Sequence, residues 1–217
     1  VKKCFPIALV VVMASSGMCK LSAQEPAQAE VMHAEASPET IESAVKAVAN
    51  LGHAVVQGRY QIAIDRMNPK WKNRYAKQVG GIEKLEKKLK SVPAEMERQG
   101  VQMISFKPQG KPVAFGVSPE SMKILINKKE EQRLVNTKWL VFVPTVTHFR
   151  ITRRDDSGPA EVVDIESVGY QVAITDRGKN DWTFIDGAGL TVNDLRSAFI
   201  GLPQDMKLPV VEKRKKL

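Results

Sequence analysis

The sequence predicts an α+β fold in which N-terminal helices pack against a curved antiparallel sheet, and three observations predict it. Helical periodicity occupies the chain from Ser37 to Gly100 and extended patterning occupies it from Val101 to Gly187. Helices and strands are therefore segregated rather than alternating, the order of an α+β domain with helices on one face of a single sheet. Second, Tyr170 to Gly187 reads as two strands joined by Asp176-Arg177-Gly178-Lys179-Asn180-Asp181, a loop with the Gly, Asp and Asn that a hairpin turn of this length uses. Third, 217 residues at 43% hydrophobic content are enough for one domain with its own core and hardly enough for two.

The first 23 residues read as an export leader. Lys2 and Lys3 form a basic start, Ile7 to Met13 an apolar run, and Leu21-Ser22-Ala23 a small-residue cleavage site. Cleavage after Ala23 is expected, with a periplasmic or secreted product. That run is short of the about 20 apolar residues that span a bilayer, and no later stretch approaches it, so no transmembrane segment is expected. Loss of Lys2, Lys3 and Lys20 lowers the net charge from +9 to +6, and both cysteines, Cys4 and Cys19, leave as well. The mature chain then has no disulfide, thiolate metal site or cysteine nucleophile. Lipid anchoring at Cys19 is disfavoured, because Ser16-Gly17-Met18 lacks an aliphatic residue at minus three and places Met at minus one.

Residues 24–37 are rich in Ala, Glu, Gln and Pro and read as a flexible spacer, too poor in large apolar groups to offset their ordering entropy. The domain proper is expected over residues 38–202. Ser37 caps a helix with Pro38 at its first position, and Ile41, Ala44, Val45, Val48, Leu51 and Val55 repeat at helical spacing to about Gln57. A short helix carries Tyr60, Ile64 and Met67 and ends before Pro69; another starts at Trp71 and breaks at Gly80-Gly81. Ile82, Leu85, Leu89 and Val92 then begin an amphipathic helix with Glu83–Lys87 and Glu86–Lys90 pairs on its outer face. Pro93 is expected to kink or restart it and Gly100 to end it.

Val101 to Phe106 opens the strands, Met122 to Ile126 is a second, and Lys138 to Thr152 is the longest. In that run Trp139, Val141, Val143, Thr145, Thr147, Phe149 and Ile151 share one face, while Leu140, Phe142, Val146 and His148 share the other. Pro144 has no N–H for a ladder and argues for a bulge or an edge. In Glu161 to Thr175 the apolar positions pass from odd (Val163, Ile165) to even (Val168, Tyr170, Val172, Ile174), which predicts a β-bulge near Ser167. Trp182 and Phe184 share a face and Ile185 takes the other. A helix follows over Val192 to Ile200, and residues 203–217, with Lys213-Arg214-Lys215-Lys216, read as a basic solvated tail.

Gln57-Gly58-Arg59-Tyr60, then Met67-Asn68-Pro69, Gly80-Gly81 and the closing Gly178-Lys179-Asn180-Asp181-Trp182-Thr183-Phe184-Ile185-Asp186-Gly187 resemble the nuclear transport factor 2-like superfamily, which includes polyketide cyclase and ketosteroid isomerase folds. The resemblance covers about residues 38–190 and rests mostly on the closing Trp-x-Phe-Ile-Asp-Gly. It implies a cone-shaped, cystatin-like domain whose curved sheet wraps helices around a cavity, used within the superfamily for catalysis, ligand binding or association. Isomerase-like members use an Asp base and a Tyr or Asp that hydrogen-bonds an enolate. Candidates here are Asp65, Asp164 and Asp186, with Tyr60, Tyr75 and His148 as partners, and a general base among them needs burial to tune its pKa.

Other chemistry is weaker in these letters. His33, His53 and His148 stand at no metal-ligand spacing from one another, so no metal is expected. Gly187-Ala188-Gly189 lacks the third glycine of a dinucleotide fingerprint and has too little chain after it, so a tight turn is expected and no cofactor. The basic clusters carry no interleaved aromatics, which argues against nucleic acid. The expected role is a non-enzymatic binding or association module for an apolar small molecule or a protein partner, with Tyr60, Trp139, Phe142 and Tyr170 lining the cone and a homodimer through the sheet as one mode of association. The alternatives are an isomerase- or cyclase-like enzyme and an envelope-associated structural protein.

Overall fold

The computed structural model describes residues 31–32, 35–126, 128–153 and 161–215. The expected leader, Cys19, His33 and the turn at Asp155 to Gly158 lie outside the described residues. In chain order the elements are β1 (Val31–Met32), α1 (Pro38–Val56), α2 (Gln61–Asp65), α3 (Pro69–Val79), α4 (Ile82–Arg98), β2 (Val101–Pro108), β3 (Val113–Ile126), β4 (Lys129–Arg153), β5 (Glu161–Asp176), β6 (Thr183–Asp186), α5 (Val192–Ala198) and β7 (Glu212–Lys215). The fold is α+β, with a curved, unclosed sheet that is antiparallel except for β1.

Local chemistry sets the helix ends. The Ser37 hydroxyl accepts from the Thr40 N–H at α1, and Asn68 does the same from Trp71 at α3, each with Pro at the start of the helix. Gly80 closes α3 in the left-handed conformation. Helix α4 continues through Pro93. Glu86 on α4 faces Lys72 of α3, its carboxylate taking a bond of 2.7 Å from Nζ, and so ties the two helices together. This cross-helix bond was not in the sequence expectation, which paired Glu86 with Lys90.

Strand β4 is the centre of the sheet. Along one edge it pairs first with β3, Lys129 to Phe142, and then with β2, Thr145 to Ile151; along the other it pairs with β5 in a single register from Lys138–Asp176 to Arg153–Glu161. The expected bulge near Ser167 is therefore overturned: the ladder runs uninterrupted through Glu166 to Gly169. The irregularity lies instead in β2, where the register shifts between Met103 and Ser105. Pro144 also avoids a bulge. Its carbonyl accepts from the Gln109 N–H at 2.9 Å, so its backbone polar side faces the gap between β2 and β3, where the missing N–H forfeits no ladder bond.

Both faces of the sheet are covered around β4, and the odd-numbered Val163 and Ile165 of β5 lie on the α1 face beyond that core. On one face α1 packs Ala44, Val48 and Leu51 against Trp139, Val141, Val143, Ala173, Trp182 and Phe184. On the other, Leu140, Phe142, Tyr170, Val172, Ile174 and Ile185 meet Trp71 of α3, Leu195 of α5 and the segment through Phe199, Leu202 and Met206. The expectation of helices on one face only is thus corrected. The chain reaches the second face around the β6 edge, where Met67 bridges Phe184 in parallel and the Asn68 N–H donates to the Phe184 carbonyl at 2.8 Å. Nor are residues 203–217 wholly a solvated tail. Met206 is buried, Arg196 donates to the Pro203 and Gln204 carbonyls at 2.7 and 2.6 Å, and Glu212–Lys215 pairs with Val168–Ile165 of β5.

Candidate functional site

A cleft of about 390 Å³ opens between α1, α2 and the turn of the β5–β6 hairpin. Its floor is apolar: Leu51 and Ala54 from α1, Trp182 and Phe184 from the hairpin, all buried, with half-buried Ile62 from α2. Its rim is polar, with Asn50, His53, Arg59, Arg66, Asn180 and Asp181. Helical spacing brings Asn50, His53 and Ala54 to one flank of α1, and Arg59, Ile62 and Arg66 follow a three-to-four residue interval along the next segment.

Trp182 pins the hairpin wall to the helix. Its indole N–H donates to the Ser43 hydroxyl at 3.0 Å, and that hydroxyl donates to Asn180 Oδ1 at 3.1 Å. The two arginines of the rim differ in their partners. Arg66 is ion-paired with Asp181, whereas the described bond of the Arg59 guanidinium is to the neutral amide of Gln57, 2.7 Å to Oε1. Gln57 in turn meets His53 Nε2 at 3.2 Å.

The residues singled out from the sequence are spread over the molecule. Tyr60 is half-buried just ahead of α2. Trp139 packs on the α1 face of the sheet beneath the Arg177 guanidinium, 4.9 Å from its ring centre, while Phe142 and Tyr170 are buried on the opposite face with their rings edge to face at 5.7 Å. None of these four lines the cleft. Asp65 is exposed on α2 and accepts from Gln61 at 2.7 Å. Asp164 takes a two-point bond from Arg150, at 2.9 and 3.1 Å, and His148 Nε2 lies 3.1 Å from Glu166 Oε2 on the neighbouring strand. Tyr75 stacks edge-on with Trp71 at 5.3 Å.

Among the acids and tyrosines singled out from the sequence, Asp186 and Tyr170 interact with each other. Burial pushes the Tyr170 phenol up to about 12, and the Asp186 charge adds to the rise. Asp186 is exposed as a residue, yet the protein packed around its carboxyl raises its pKa by desolvation; bonds from the Ala188 N–H, Gln171 and the Gly187 N–H oppose the rise. Gly187 lets the turn close on the tyrosine, since a Cβ there would stand 2.6 Å from the Tyr170 carbonyl oxygen and 2.7 Å from its ring Cζ.

Among the described residues no group of three His, Cys, Asp or Glu side chains converges as metal ligands would, and no described helix is long and apolar enough to cross a membrane. The chain matches no protein-family model, no curated protein and no solved structure. Sequence reasoning missed the cleft. Its signal was a polar flank beside the apolar stripe of α1, continued by Arg59 and Arg66.

Proposed function

We propose that this protein is an exported binding module of the nuclear transport factor 2-like type that takes a ligand with an apolar body and an anionic group in the α1–α2–hairpin cleft. One observation carries the reading: Arg59, a cation whose described partner is a neutral amide, stands at the rim of a cleft floored by Leu51, Ala54, Trp182 and Phe184. A concave apolar surface with a few placed polar groups is the ordinary form of a small-molecule site, and a guanidinium prefers a carboxylate or phosphate to an amide.

Isothermal titration with octanoate and with 1-octanol tests it. Octanoate is expected to bind several-fold tighter, Arg59→Gln to erase that difference, and Ala47→Phe, which narrows the cleft, to weaken both probes while the thermal midpoint stays unchanged. No binding of either probe to the folded protein would retire the cleft as a ligand site.

A second reading, an isomerase- or cyclase-like enzyme, is favoured by Asp186 beside Tyr170, a carboxyl of raised pKa next to a buried phenol. Its test is deuterium exchange at the carbon next to a ketone carbonyl, followed by NMR. Equal rates for the native protein and Asp186→Asn would exclude that role.

A further inference from the structure

At the end of the sheet away from the cleft, charges sort by face. On the face opposite α1, His148 meets Glu166, Arg150 meets Asp164, and Arg214 pairs with Glu212 at 2.6 Å, so these three groups each face a carboxylate. The α1 face of the same strands is different. Pairing of Ser167 with Lys213 and Ile165 with Lys215 puts both lysines on the side of Val163 and Ile165, because directly opposed residues share a face. Together with Arg153, Glu161, Val163, Ile165 and Arg214, which reaches it at the strand edge, they line a groove of about 290 Å³. Neither lysine makes an ion pair with a described residue. Directly ahead of β7, Val210 and Val211 are 73% and 48% exposed.

Lysines on an edge strand commonly serve to block edge pairing. That role explains the charge and leaves the two exposed valines and the aliphatic floor without a purpose. We infer that the β7 edge docks on an anionic phospholipid surface, with Lys213 and Lys215 against headgroup phosphates and Val210 and Val211 in the interfacial layer. Cations beside short apolar groups are the combination that binds such a surface. Pairing with β5 holds the lysines in place before contact, which lowers the ordering cost of binding. Single-stranded nucleic acid would use the cations and would call for aromatic stacking faces, whereas this floor is Val163 and Ile165.

The test is co-sedimentation of the purified chain with phosphatidylcholine vesicles, with and without phosphatidylglycerol, in low salt and at about 1 M NaCl, where the Debye length is about 3 Å. Binding is expected to the anionic vesicles alone and to be lost in high salt. Lys213→Gln with Lys215→Gln should weaken it by roughly 25-fold, about five-fold for each cation. Val210→Ser with Val211→Ser should weaken binding to vesicles while leaving retention on a heparin column unchanged. Circular dichroism of both variants checks that the fold is kept. The inference is overturned by equal binding to neutral vesicles, by no binding to either, by a lysine variant that binds like the parent, or by a valine variant that does so, which would mark a general polyanion surface.

Discussion

Gly52 of α1 lies beneath the ring of Phe106 on β2, with ring atoms Cε1 and Cγ 2.7 Å from where a Cβ would stand. The helix approaches the sheet this closely because the position has no side chain. In an unhindered helix interior Gly→Ala gains roughly 0.5–1 kcal/mol; here overpacking against the ring is expected to reverse the sign, for a net loss of about 1–3 kcal/mol. Adding Phe106→Leu should return part of that loss, and a double-mutant cycle by chemical denaturation measures the coupling. A Gly52→Ala protein as stable as the parent would show that the ring moves aside freely.

Trp182 is 3% exposed and packs with Trp139, Phe184 and the α1 residues. Truncation to Ala is expected to cost about 3–5 kcal/mol, from lost burial and the cavity left behind. Trp182→Phe keeps much of the packing and removes the indole bond to Ser43, leaving the smaller loss of a single hydrogen bond, about 0.5–1.5 kcal/mol, together with some packing. Urea midpoints separate the two. A loss under about 1 kcal/mol for the Ala variant would remove Trp182 from the core.

Stability is expected to fall between about pH 10 and pH 12 through Tyr170. The folded chain holds the phenol protonated up to about 12, above its ordinary value of 10.0. Over that window the native state keeps a proton that the unfolded chain has released, so unfolding free energy declines as pH rises. The contribution is whole below pH 10 and gone above the folded pKa. Thermal melts across this range should show Tyr170→Phe with a shallower decline than the parent; parallel curves would mean that the phenol is solvated.

Asp186→Asn is expected to leave stability at neutral pH unchanged or slightly higher. The carboxyl's pKa is raised in the fold, so its favourable contribution exists in acid and is lost as pH rises through the folded value. The amide oxygen of Asn keeps the acceptor used by Gln171 and by the Ala188 N–H. Any advantage of Asn should shrink as the pH falls from the raised folded value toward the ordinary 3.8, and be gone below it. A variant clearly less stable at pH 7 would show that the ionised carboxylate is a structural acceptor that Asn cannot replace.

Much of the fold was legible because its signals are local. Ser37-Pro38 marks a helix start, Gly80 and Gly100 mark ends through their positive φ, and two-residue alternation groups Tyr170, Val172 and Ile174 on one strand and Trp182 with Phe184 on the next, whereas α3, which the sequence pattern starts at Trp71, begins at Pro69, capped by Asn68. The change of parity along β5 was visible too, but alternation reports which side is apolar and is silent on the cause. A slipped register and a change of covering element leave the same pattern.

The sequence by itself determined where helices begin, where the chain turns and that both faces of β4 carry apolar residues. The tertiary structure alone decided what covers them: α1 on one side, and Trp71, Leu195, Phe199 and Met206 on the other. It also separated Trp139 from Phe142 and Tyr170, and assembled a cleft from Leu51, Arg59 and Trp182, residues far apart in the chain. The physical reason is that capping and turn formation are settled within a few residues, whereas burial depends on partners brought together by chain closure, and no local pattern names the partner.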